Sequence, residues 1–68
     1  MGERIVDRLI DKYEDYGDWS KVSVLEEIRP AISMGDYDMI DELHSVYTRY
    51  GDWSKTSALE ELKEELGE

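Results

Sequence analysis

The chain has no cysteine, no phenylalanine, one proline and one histidine among its 68 residues. Without cysteine, neither a disulfide framework nor a thiolate zinc site can staple so short a fold, and packing or association must hold it. No stretch approaches the ~20 apolar residues of a membrane span. Met1-Gly2-Glu3-Arg4 leads straight into an amphipathic pattern with no signal-like apolar core, so the expectation is a cytoplasmic protein. Basic residues are also scarce, 8 against 18 acidic, for a net charge of -10. That balance argues against a nucleic-acid backbone or an anionic membrane as the main partner. It leaves two readings open, a basic protein partner or acid that keeps a small domain soluble.

Chemistry is equally sparse. There is no glycine-rich phosphate loop and no basic stripe set with aromatics. Ser20, Ser23, Ser54 and Ser57 fall in the first turns of expected helices, where capping accounts for them, and none has a base beside it. Asp41 and His44 stand at i,i+3, the spacing of a carboxylate-bridged metal bundle, but such a site needs the motif twice, and the counterpart of His44 is Ile10. The expectation is a non-enzymatic protein without metal or cofactor, with His44 partly buried at a core edge.

Aliphatic and aromatic residues are plentiful: 40% of the chain is hydrophobic, with two Trp and five Tyr, too much for a disordered chain. At this length it is a single domain, 1–68, that buries about 60% of its unfolded surface. Its organisation is a duplication. Gly17-Asp18-Trp19-Ser20-Lys21 returns unchanged as Gly51-Asp52-Trp53-Ser54-Lys55, a period of 34 that divides the chain into repeats 1–34 and 35–68. Thirteen of the 34 paired positions are identical, including Leu9/Leu43, Tyr13/Tyr47, Tyr16/Tyr50, Leu25/Leu59 and Glu26-Glu27/Glu60-Glu61.

Apolar spacing predicts two helices per repeat. The first runs from Glu3 to Tyr16 on Ile5, Val6, Leu9, Ile10 and Tyr13, with charge rows that can pair along the helix as Arg4/Asp7 and Arg8/Asp11. The second begins near Asp18 or Trp19 and either stops near Arg29 or kinks at Pro30 and continues towards Met34. Ile32 extends its stripe and favours continuation. The third runs from about Tyr37 to Tyr50 on Ile40, Leu43, Val46 and Tyr47, and the fourth to about Leu66 on Trp53, Leu59, Leu62 and Leu66. Gly17 and Gly51 fit a left-handed helix end, and Asp18 and Asp52, or alternatively Ser20, fit the next N-cap. Gly35-Asp36-Tyr37 repeats this corner in a looser form. Trp19 and Trp53 are expected to pack into the hairpin interiors.

Two helices per 34 residues, a Gly-Asp-Trp corner, Leu9/Leu43 and Tyr13/Tyr47 on the first helices and an aromatic opening the second together resemble the tetratricopeptide repeat. That likeness implies a protein-binding scaffold. The chain departs from the family pattern at Ile10/His44, Val22/Thr56, Glu26/Glu60 and Arg29/Lys63, and its Pro30 is not at the family's closing proline. The fold class is all-α, four helices as two tandem hairpins, with either a repeat-like stack or a four-helix bundle open.

The leading functional expectation is a protein-protein interaction module, self-associating because a hairpin leaves an apolar edge that a homodimer would cover. Candidate partner residues are the corner tyrosines Tyr16, Tyr37 and Tyr50 and the acidic row Glu60, Glu61, Glu64 and Glu65, which opposes the helix macrodipole unless something compensates it. The structural corners are Gly17, Asp18, Trp19, Gly35, Asp36, Gly51, Asp52 and Trp53. One alternative is an acidic inhibitor, possibly phage-encoded, that imitates nucleic-acid phosphates towards a basic nucleic-acid-binding protein. A designed scaffold without a natural partner is another.

Overall fold

Each apolar stripe becomes a helix in the computed structural model, which describes residues 2–67. The four are α1 Gly2–Tyr16, α2 Trp19–Ser33, α3 Asp38–Tyr50 and α4 Trp53–Leu66. Gly17 and Gly51 take φ of +72° and +73°, a conformation that costs a side-chain-bearing residue energy but not glycine. The turn this permits folds two amides back into the preceding helix: Gly17 N–H to Glu14 O at 3.0 Å and Asp18 N–H to Tyr13 O at 2.9 Å. The same two bonds recur at Gly51 and Asp52, and they satisfy carbonyls that a helix end otherwise leaves bare. Of the two candidate caps, aspartate is the one used: the carboxylates of Asp18 and Asp52 accept the amides of Lys21 and Lys55 at 3.4 and 3.3 Å. The middle corner is looser, since Tyr37 at the start of α3 provides no side-chain cap.

Helix α2 continues through Pro30 to Ser33. Proline removes one amide donor and crowds the previous turn, at a cost of about 3 kcal/mol in a helix interior. Against this, the extra turn carries Ile32 into the core at 2% exposure, a burial worth about 1.5–3 kcal/mol. The turn is also closed by Met34 N–H bonds to Pro30 O and Ala31 O, both 3.1 Å.

The core comprises Val6, Leu9 and Tyr13 of α1, Val22, Val24, Leu25, Ile28 and Ile32 of α2, Ile40 of α3, and Ala58, Leu59 and Leu62 of α4. α2 and α4 lie side by side at the centre, α1 packs on both, α3 packs on α4 and more lightly on α2, and α1 and α3 do not meet. Most ion pairs among the described residues run between helices, while Lys21–Asp18 and Lys55–Asp52 close locally at i,i+3. Arg8 reaches Glu65 at 2.8 Å and Lys12 reaches Glu61 at 2.9 Å, from α1 to α4; Asp7 takes Arg29 at 2.6 Å, from α1 to α2. The local pairs expected within α1 give way to these because the neighbouring helices offer partners with the same reach.

How the halves are related decides between the two arrangements left open by the sequence. Tyr13 of α1 hydrogen-bonds Glu61 of α4, and its equivalent Tyr47 of α3 bonds Glu27 of α2, the equivalent of Glu61. A contact from i to j+34 is thus matched by one from i+34 to j, the reciprocity of a two-fold axis. A translational stack repeats a contact in one direction only. The chain is a four-helix bundle in which two hairpins face each other across an approximate dyad. The apolar edges that suggested a homodimer close on each other within one chain.

Candidate functional site

α1 runs antiparallel to α2 and to α4, as the 8/65 and 12/61 pairs show, so α2 and α4 are parallel and their N-termini share one end of the bundle. Ser54 Oγ donates to Asp18 Oδ1 at 3.3 Å and joins the two exact corners there. This end displays four large aromatic side chains: Tyr16 at 72% exposure, Trp19 at 63%, Tyr50 at 77% and Trp53 at 67%.

The exposure of Trp19 and Trp53 corrects the expectation that they fill the hairpin interiors. Steps of three from Trp19 lead to Val22, Leu25 and Ile28, but each residue turns about 100°, so Trp19 and Leu25 lie about 120° apart on the helix. The buried arc of α2 starts at Val22. As the first residue of its helix, Trp19 also directs its Cβ back beyond the helix end, where α1 has already turned away. The same holds for Trp53. Val46, expected on the buried face of α3, is likewise 38% exposed.

Beneath these outer rings lies an ordered layer. Tyr13 meets Tyr16 edge-on with centroids 6.0 Å apart, and Tyr47 meets Tyr50 at 6.4 Å. The ammonium groups of Lys21 and Lys55 sit over the Tyr13 and Tyr47 rings, each 4.7 Å from the centroid, and are held by Asp18 and Asp52. Tyr47 is pushed up to about 12 by its hydrogen bond to the Glu27 carboxylate and then by burial. Burial, followed by the bond to Glu61, raises Tyr13. For Glu61, burial favours the neutral acid, yet the bonds from Tyr13 and Lys12 outweigh it and hold the carboxyl below its usual value.

No family model matches the chain, and comparison with curated proteins and with solved structures gives no match. The candidate site therefore rests on its own geometry. Tyr16 and Tyr50 are brought to the same end with Trp19 and Trp53, whereas Tyr37 lies at the opposite end. There it is half-buried beside Gly2, Ile5 and Leu66. A Cβ on Gly2 would stand 2.7 Å from Ile32 Cγ2 and 3.1 Å from the Tyr37 hydroxyl, so Tyr37 is packed against the start of α1.

The acidic row of α4 is largely engaged. Glu60 pairs with His44 at 2.9 Å, Glu61 with Lys12 and Tyr13, and Glu65 with Arg8, while Glu64 is exposed. Arg8 and Lys12 are thus cationic groups that offset the like charges at this helix end, and His44 holds Glu60 by a hydrogen bond. Asp41 receives Lys63 at 2.8 Å, which repeats Asp7–Arg29 in the second hairpin, so Asp41 and His44 serve separate links to α4. His44 is half-buried at the core edge. Among the described residues no helix is long and apolar enough to cross a membrane.

Proposed function

We propose that this protein is a non-enzymatic protein-protein interaction module and that its binding face is the aromatic end of the bundle. One observation carries the reading: two copies of an exposed Tyr-Trp pair, Tyr16/Trp19 and Tyr50/Trp53, project at one end of a small bundle whose core is closed without them. Exposed rings of this size are the side chains favoured at the centres of interfaces. The internal pairing of Glu60, Glu61 and Glu65 gives the phosphate-imitation reading less support than this one.

The test is a pull-down from the native source with wild type beside a Tyr16→Ala/Tyr50→Ala variant, followed by direct binding measurements with whatever partner is purified. Both tyrosines are mostly exposed, so the variant should retain its helical signal and melting temperature while it loses the partner. A partner bound equally by both proteins would overturn the reading.

A further inference from the structure

We infer that the occupant of the aromatic end is a cationic segment of the partner, a stretch bearing arginine or lysine, and that it lies over the first corner rather than the second. This rests on the interaction-module reading and names the partner's chemistry. The two corners share their rings but not their charges. Asp11, Glu14 and Asp15 of α1 are replaced at the equivalent positions of α3 by Ser45, Thr48 and Arg49. All three acids are exposed, at the end of a helix with no basic residue in its last turn, so side chains and macrodipole add to one negative field at the corner that carries Tyr16 and Trp19. At the second corner Arg49 lies in the last turn of α3 and offsets the same field.

The layer below already shows how these corners hold a cation: Lys21 and Lys55 each rest on a tyrosine face, with a carboxylate at the ammonium. Tyr16 and Trp19 offer their rings to solvent at a corner of net negative charge, and guanidinium and ammonium groups are the ligands such a surface attracts. The net charge of -10 adds long-range steering towards a basic partner and repels a second copy of this chain.

The only two tryptophans of the chain stand on this face, so indole resonances and fluorescence read its occupancy directly. The probe is a short arginine-glycine peptide titrated into the intact protein, beside a glutamate-glycine peptide and a neutral tyrosine-serine peptide of equal length. The basic peptide should shift the Trp19 indole signal more than that of Trp53, and added salt should weaken the effect. Glu14→Gln/Asp15→Asn should bind it about fivefold or more weakly, while Glu42→Gln/Glu64→Gln, an equal charge change at the far end of the bundle, should alter affinity less than about twofold. Equal loss in both variants, equal shifts at both indoles, or preference for the neutral peptide would overturn the inference. Preference for the neutral peptide would leave the interaction face standing and remove only its charge selectivity. Concentration-dependent indole shifts without any peptide would identify a second copy as the occupant and also overturn it. If no peptide moves either indole and the Tyr16→Ala/Tyr50→Ala variant keeps its captured partner, the interaction-module reading itself falls.

Discussion

Tyr47 is the side chain whose ionisation tells most about how the halves are joined. Its hydroxyl donates to Glu27 at 2.6 Å, and that bond, with burial, lifts its pKa from 10.0 to about 12. A group held more tightly protonated in the folded state stabilises the fold fully below its unfolded pKa. That stability is lost as pH climbs through the folded value. Urea midpoints should therefore fall between pH ~10 and ~12, less steeply in Tyr47→Phe and least in Tyr13→Phe/Tyr47→Phe, since Tyr13 is raised too. At the acid side the sign reverses. Asp7, lowered by the hydrogen bond from Arg29, and Glu61 contribute stability that is present above about pH 4 and lost below it. The corner glycines offer a cleaner comparison. A Cβ at Gly17 or Gly51 would touch nothing within 4 Å, so alanine there should cost only the left-handed backbone, about 1–2 kcal/mol. Chemical denaturation of the two variants should give matching losses.

Among the elements, α2 and α3 differ most in how firmly they are held. α2 supplies five buried residues and tolerates Pro30; α3 supplies one, Ile40. Pro30→Ala restores the missing amide bond and releases the crowding, and should raise stability by about 1–2 kcal/mol after the larger unfolded-state entropy of alanine is subtracted. In native-state hydrogen exchange, α3 amides should open at lower free energy than those of α2 and α4. Helix number and extent were legible in the sequence because Leu9, Leu25, Leu43 and Leu59 sit in stripes that any helix of this register must bury. The continuation through Pro30 was legible from Ile32. The exposure of the tryptophans was not legible there, because a run of i+3 steps drifts around the helix, and the drift decides which side a terminal residue faces. The charge difference between Asp11, Glu14, Asp15 and Ser45, Thr48, Arg49 was visible in the alignment of the repeats. It acquired meaning only once both corners were known to share one end. The destination of Arg8 and Lys12 depends on the α1–α4 neighbourhood, which no local pattern encodes.

For the whole molecule, the approximate dyad makes equivalent residues interchangeable in energy wherever both are fully buried. Leu25 and Leu59 are each at 0% exposure at the centre, on α2 and α4. Truncation of either to alanine should cost about 2–5 kcal/mol, a large part of the total of a domain this small. Calorimetry should show the two variants melting at similar temperatures, well below wild type.

The reciprocal Tyr13–Glu61 and Tyr47–Glu27 bonds also mean that the peptide between α2 and α3 acts as a tether. Each hairpin sees its partner at an effective concentration in the millimolar range, set by a connection of a few residues rather than by the amount of protein present. A single cut within Gly35-Asp36 would leave every inter-hairpin contact in place and yet turn an intramolecular docking into a bimolecular one. The nicked protein would then melt at a temperature that falls with dilution, while the intact chain melts at the same temperature at every concentration.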